Sequence, residues 1–395
     1  MDRDLLSGKR VLLGQRSANL DGSAISGLIV AKALRQSGAD VVVAFGHYGP
    51  MQDEFRALGC EVLLFPHGDW LREGRLVKSF RRLMREWRLG SSLAEKLAHQ
   101  QFDLVYVNSL VSMSFARFAH LNQVPCVWHI RELFSDVGGE MVVPTFGGRS
   151  LVRFVISRLA TQVATNSKAV CENILGEKLG HQARVIYNSG KPVVDSERLG
   201  VQKLRSSLGI PSEAVVLGVP STLRPMKGQE FLVQTLPSIL KQHPTLMVVM
   251  LGEVQSEYGG QVKGLVNSLG LNNVVLFPGT FGTMGAFYTL CDAICIPSIA
   301  EPFGRVAVEA FHAECPVVAS AVGGLREIVS HDRTGLLFSY GDREELYHCI
   351  NRILSDEDLR GRLVCSAKLE AEQRFSEGMY SSEVIEVCKQ VMSGQ

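Results

Sequence analysis

Short apolar runs recur along the chain, each ending in a polar or glycine-containing loop and each followed by a stretch with helical spacing. In the first half KRVLLGQ, ADVVVAFG, FDLVYVNS, VPCVWHI, QVATNS and ARVIYNS read as buried strands. AVVLGVPS, LMVVMLGE, NVVLFPG, AICIPS and PVVASAVG repeat the pattern in the second half. Helical spacing fills the intervals, as in AISGLIVAKALRQSG, which ends at the kind of glycine that helix C-termini favour, and in GQEFLVQTLPSILKQH and GGQVKGLVNSLG. Strands that are apolar on both faces belong to parallel sheets covered by helices. The pattern therefore predicts an α/β chain of two similarly built domains, residues 1–190 and 191–375. They are joined near Ser189-Gly190-Lys191-Pro192. An amphipathic helix over about 376–395 ends the chain and is a candidate to pack back on the first domain.

Composition narrows the classes. With 395 residues, 46% hydrophobic and 21% charged, the chain is globular and large enough for two cores. A formal net charge of +1 argues against a general nucleic-acid binder. No apolar run reaches the ~18 residues of a membrane span, and the charged start MDRDLLSGKRVLL lacks a secretory apolar region. The nine cysteines are an odd number with no Cys-x-x-Cys pair, which points to reduced thiols in a cytosolic-facing soluble protein and against a zinc site. Charge is uneven. Residues 1–197 carry 24 basic and 19 acidic side chains (+5), and residues 198–395 carry 17 and 21 (−4). Much of the excess lies in Arg72, Arg75, Lys78, Arg81, Arg82, Arg85 and Arg88, opposed only by Glu73 and Glu86. There Leu76, Phe80, Leu83 and Trp87 stand at helical spacing. Two readings of this basic amphipathic helix have equal weight: one that packs on the sheet with a solvated basic face, and one that lies on anionic lipid or an acidic acceptor.

The most informative stretch is PSIAEPFGRVAVEAFHAECPVVASAVGGLREIV, from Pro297 to Val329. A strand ends in a loop, and Pro302 is expected to start a helix. The backbone N–H groups near Phe303, Gly304 and Arg305 then form an anion-binding terminus, with Gly304 allowing close approach. Glu301 lies just before that helix and Glu309 about a turn inside it. An ionised carboxylate only accepts hydrogen bonds, so each suits a pair of vicinal sugar hydroxyls. Other candidates follow the same logic. Lys227 in LRPMKGQEF precedes a helix and offers a flexible point charge for phosphate. Gly22 in SANLDGSAISG sits in a strand-to-helix turn after the first strand, and His129 in VPCVWHI ends a strand.

The Glu-x7-Glu spacing within EPFGxxxxEA resembles the signature of the retaining glycosyltransferases of family 4. That resemblance implies a GT-B fold, two Rossmann-like doubly wound domains facing across a cleft. The first would take the acceptor and the second the nucleotide-sugar donor. It implies Glu309 as the ribose ligand, Glu301 and the backbone of Phe303 and Gly304 toward the donor sugar, and Lys227 on the diphosphate. Arg305 belongs to the same donor-binding terminus. His129 would face the sugar and Gly22 the donor phosphates. The chain departs from the family at Thr222, where an arginine is usual and for which Arg224 is the available substitute. It departs also at Ser23 and Ser189, each in place of a glycine, and at Glu314, where a glycine often stands. Asn188, at the interdomain crossing, and Glu327 read as structural. The resemblance implies transfer of a sugar from a nucleotide sugar, a UDP-sugar above all, to a glycan or lipid-linked acceptor in cell-surface polysaccharide or glycolipid synthesis. No metal or other cofactor is implied, and the chain has no clear DxD motif. Weaker alternatives are a GDP-mannose-dependent mannosyltransferase, a nucleotide-sugar epimerase, a sugar phosphorylase, or a non-catalytic nucleotide-sugar-binding subunit. The expected setting is cytoplasmic, with peripheral contact at the inner face of a membrane through Arg72–Arg88.

Overall fold

A computed structural model of the chain describes residues 5–19, 21–68, 70–71, 76–134, 141–190, 193–194, 200–252, 256–281 and 284–394. The chain forms two compact units. Unit 1 holds residues 1–188 together with 377–395, and unit 2 holds residues 189–376. Both are parallel α/β sheets of Rossmann type, the architecture that the strand–helix alternation predicts.

Unit 1 is built on seven strands: β1 (Arg10–Gln15), β2 (Asp40–Phe45), β3 (Glu61–Leu64), β4 (Leu104–Val107), β5 (Cys126–Ile130), β6 (Gln162–Thr165) and β7 (Arg184–Val185), in the order β3-β2-β1-β4-β5-β6-β7. All pairs are parallel, with Val11 opposite both Val41 and Leu104. Successive side chains point to opposite faces of a strand. Leu12 accordingly joins one core layer while Val11 and Leu13 join the other. That second layer contains Tyr380, Val384, Ile385 and Cys388, so the C-terminal helix Glu377–Ser393 is part of the core of unit 1. Its first turn is tied to the helix Gly22–Gln36 by an ion pair between Lys32 and Glu377.

Unit 2 has six parallel strands: β8 (Val215–Val219), β9 (Leu246–Leu251), β10 (Val275–Gly279), β11 (Ala293–Ile296), β12 (Val317–Ser320) and β13 (Leu336–Phe338), ordered β10-β9-β8-β11-β12-β13. In each sheet the chain winds outward first to one side and then to the other. The reversal falls between β1 and β4 in unit 1 and between β8 and β11 in unit 2. Beyond the carboxyl ends of strands at such a reversal the loops part, and doubly wound sheets bind their ligands there.

One expectation needs correction, and the structure adds detail at two further places. The helix expected to start at Pro302 begins at Arg305, because Gly304 takes a left-handed conformation (φ 107°) that no helix continues and so becomes the N-cap. Glu314 stands at a position where the resemblance leads one to expect glycine. It adopts the left-handed φ of 59° just past the helix Arg305–His312, the role glycine usually fills, and its carboxylate bonds Lys368 at 3.1 Å. The basic helix spans Leu76–Lys96, but its buried stripe is Ser79, Glu86, Gly90 and Leu93. Leu76 and Phe80 stay 53% and 43% exposed, while Leu83 and Trp87 are half-buried. A close approach explains the inversion, since Gly90 packs on Arg117 and Glu86 receives the amide N–H groups of Gly68 and Ser114. Burial raises the Glu86 pKa above the ordinary carboxyl value, against the opposing pull of those two donors. Arg72, Glu73 and Arg75 lie outside the described residues, as do Lys191 and Pro192. Among the described residues no helix is long and apolar enough to cross a membrane.

Candidate functional site

The loops after β8 and β11, on either side of the reversal in unit 2, carry most of the sequence candidates. After β8 the chain turns through a short 3-10 segment, Pro225–Lys227, and enters the helix Gln229–Leu240. Gly228 makes the turn at φ +66°, and a Cβ there would lie 1.9 Å from the Pro297 carbonyl oxygen just after β11. Ile299 N–H donates to the Met226 carbonyl at 2.8 Å. The two loops are thereby fastened together, which carries Lys227 to Glu301. The ammonium donates to Glu301 Oε2 at 2.7 Å, and Ser298 Oγ donates to the same oxygen at 3.2 Å. Gly324 N–H holds the Glu301 carbonyl at 2.9 Å. Lys227 and Glu301 are largely buried, at 21% and 12% side-chain exposure, so the pair keeps its geometry. An ammonium has three donors, and one on Glu301 leaves others for phosphate oxygens.

The second carboxylate is held separately. Glu309 accepts from Tyr288 Oη at 2.7 Å through Oε2 and from Arg305 Nε at 2.7 Å through Oε1. Tyr288 is wholly buried. Burial first, and then the neighbouring Glu309 charge, raises its pKa well above the ordinary phenol value, so it remains a neutral donor. Tyr288 had no signal in the sequence, because its partner Glu309 lies 21 residues further on; Ser298 lies only three residues before Glu301, inside the stretch singled out, but nothing in the pattern marks its hydroxyl as a donor to that carboxylate. Among the described residues no side chain caps the helix at Gly304, which leaves its first amides to other partners. The Phe303 ring is buried edge-on against Phe375, with centroids 6.1 Å apart, so only its backbone serves that terminus. Arg224 is exposed before the 3-10 turn. At the departure point Thr222, the Gln229 amide donates to the Thr222 carbonyl at 3.0 Å and to Ser221 Oγ at 2.9 Å, bracing the loop.

Unit 1 presents a different constellation after β1, β4 and β5. His129 is fully buried, with Nδ1 2.6 Å from Tyr106 Oη and 3.1 Å from Arg131 Nη2. Arg131 also bonds Asn108 Oδ1 at 2.7 Å, Asn188 Oδ1 at 2.5 Å and Tyr380 Oη at 2.5 Å. Asn188, read from sequence as structural, is one of its anchors. Gly22 lies in the turn after β1, with nothing within 4 Å of a Cβ placed there. It opens the helix Gly22–Gln36, but the Asp21 carboxylate already accepts from Ser23 N–H at 3.0 Å and Ala24 N–H at 2.9 Å. Two Asp-x-Asp triplets occur in the sequence. Asp2–Asp4 lies outside the described residues, and Asp356 of the other is spent as the N-cap of the helix Glu357–Arg374.

Known proteins match this chain over most of its length. Residues 28–189 match the glycosyl transferase 4-like domain model, and residues 200–370 match the glycosyl transferases group 1 model. An uncharacterized glycosyltransferase of Methanocaldococcus jannaschii is 26% identical over 304 residues, 75% of this chain and 77% of its own. A D-inositol 3-phosphate glycosyltransferase of Actinosynnema mirum is 35% identical over 172 residues, so the chain spans only 41% of that relative. Among solved structures, the Anabaena protein Alr3699/HepE, in complex with UDP and glucose, is 25% identical. It superposes with a TM-score of 0.80 over 97% of this chain and 100% of that one.

Proposed function

The chain is a glycosyltransferase of the GT-B type, and from that premise we propose that it is retaining, takes a UDP-sugar and needs no metal ion. The carrying observation is the Lys227–Glu301 pair, 2.7 Å apart at the carboxyl end of the unit 2 sheet and followed by a helix whose N-terminus no side chain of the described residues caps. Charge develops on the leaving diphosphate as its bond to the anomeric carbon breaks. Lys227, with Arg224 and the amides after Gly304, supplies positive potential there, the task a divalent cation otherwise performs. Glu301 accepts from hydroxyls of the donor sugar, and Glu309, held by Tyr288 and Arg305, accepts from the ribose hydroxyls. The acceptor oxygen bonds the anomeric carbon on the face the diphosphate leaves, and its proton passes to a diphosphate oxygen. His129 contacts the sugar. UDP is the base proposed because the Anabaena relative was solved with UDP and glucose.

Glu309→Ala tests the ribose role. Loss of hydrogen bonds to a charged group is expected to weaken donor affinity by about 1.5–3 kcal/mol, roughly tenfold to a hundredfold. Calorimetric titration with UDP reads this directly, and an unchanged Kd sinks the assignment.

For the acceptor we propose a glycan or lipid-linked hydroxyl reached through unit 1 at the inner face of a membrane, in cell-surface polysaccharide or glycolipid synthesis. The support is the outward apolar start of the helix Leu76–Lys96, where Phe80 stacks edge-on with Phe146 at 5.1 Å beside a groove lined by Arg81, Arg85 and Arg88. Each basic residue near an anionic surface contributes about 1 kcal/mol. Replacing Arg81, Arg82 and Arg85 with Glu should therefore lower partitioning onto phosphatidylserine vesicles by at least roughly tenfold. Equal sedimentation with vesicles would reduce the segment to a solvated helix.

A further inference from the structure

His129 lies at the end of β5 with one ring nitrogen in a crowded polar pocket and the other without any partner among the described residues. The two nitrogens are therefore not equivalent. Arg131 Nη2 is 3.1 Å from Nδ1. A guanidinium has only donors, so Nδ1 must present its lone pair. The Tyr106 hydroxyl, at 2.6 Å, rotates to suit. A neutral imidazole that accepts at Nδ1 carries its proton on Nε2.

Arg131 has no freedom to leave this position. Its Nε and Nη1 are fixed by Asn108 Oδ1 and Asn188 Oδ1, and Nη2 also reaches Tyr380 Oη. Asn108 cannot reverse its amide, because its Nδ2 donates to Gln15 Oε1 at 2.7 Å and to the Ser23 carbonyl at 3.0 Å. Asn188 ends the part of unit 1 before the chain crosses out, and Tyr380 lies in the helix by which it returns. One buried guanidinium thus anchors both points of passage and sets one imidazole.

The surroundings oppose a charged ring. Among the described residues no carboxylate bonds the Arg131 side chain. The neighbouring Glu132 turns instead to Ser109 Oγ and to the amides of Leu110 and Arg131. Tyr106, Tyr380 and Cys388 are buried and held above their ordinary pKa values, so they stay neutral. Burial and then the Arg131 charge push the His129 pKa well below that of an ordinary histidine.

We propose that Arg131 and Tyr106 are positioning residues that hold His129 as the neutral Nε2–H tautomer, so that His129 meets the nucleotide sugar only as a hydrogen-bond donor and never as a base. This rests on the reading above that places His129 at the sugar. A buried N–H without a protein partner is rare, and an oxygen lone pair of the donor sugar satisfies it.

Ring-nitrogen NMR of the full chain labelled at histidine tests the assignment, with the signal identified by its loss in His129→Ala. The wild type should show the proton on Nε2, unchanged from about pH 6 to pH 8, where ordinary histidines titrate. In Arg131→Gln the ring should populate the Nδ1–H form or titrate, and kcat should fall by about tenfold or more with a smaller change in donor KM. A wild-type proton on Nδ1 overturns the proposal without recourse to any variant, as does a folded Arg131→Gln with the tautomer unchanged. If either occurs while His129→Ala is inactive, the sugar contact survives and only the proposal fails. Wild-type turnover in His129→Ala refutes the sugar contact itself, and the donor role with it.

Discussion

Lys227→Ala is expected to lower kcat by about a hundredfold or more, the usual effect of removing one preorganised charge from a developing anion. Lys227 is a partly exposed side chain in a 3-10 turn, so the fold should persist and melting should change little. The structure adds a second consequence. Glu301 Oε2 would lose its 2.7 Å partner and keep, among the described residues, Ser298 alone, leaving an unneutralised carboxylate close to the incoming diphosphate. Donor affinity should therefore fall as well as kcat. In the double variant Lys227→Ala/Glu301→Gln affinity should partly recover while turnover does not. A single variant with wild-type kcat would show that the ammonium has no part in departure of the diphosphate.

Gly228→Ala should be the most disruptive single-methyl change in unit 2. The left-handed backbone costs an ordinary residue roughly 1–2 kcal/mol, and the added carbon would lie 1.9 Å from a backbone oxygen that no rotamer change can move. Overpacking of that kind adds about 1–3 kcal/mol. The turn that delivers Lys227 to Glu301 would shift with it, so turnover should fall together with stability. Gly209→Ala is the control. Its φ is +64°, but nothing lies within 4 Å of the new carbon, so it carries the backbone strain alone. Denaturant melts of the two variants should differ by more than about 1 kcal/mol. Equal losses would mean that the contact between the loops after β8 and β11 is unimportant.

The strands were legible because burial on both faces makes parallel strands continuously apolar, and the two Rossmann-type sheets followed from that alternation. Glu301, Gly304 and Glu309 could be singled out because one short stretch contains them all. Long-range fastening was not legible. Lys227 and Glu301 are 74 residues apart, and Arg131 and Tyr380 are 249 apart. No periodicity encodes that Gly228 must pass under Pro297. The apolar spacing left open which face of the basic helix is buried, because the face that packs is taken by a glycine and a buried glutamate while Leu76 and Phe80 point outward. At Gly22 the sequence shows a glycine in a strand-to-helix turn; that Asp21 immediately before it caps the amides of Ser23 and Ala24 is visible only in the structure.

The measurement that bears most directly on the central claim is a thermal-shift titration of the full chain with UDP, GDP, ADP and their common sugars, in the presence of a chelator. A ligand that binds only the folded state raises the midpoint, and the rise keeps growing with the logarithm of ligand concentration above its Kd. The account predicts a rise with UDP and UDP-sugars, reduced in Glu309→Ala and in Lys227→Ala. A rise confined to GDP-sugars would replace the proposed donor. No rise with any nucleotide in a folded sample would contradict the assignment of Lys227, Glu301 and Glu309 to a nucleotide sugar.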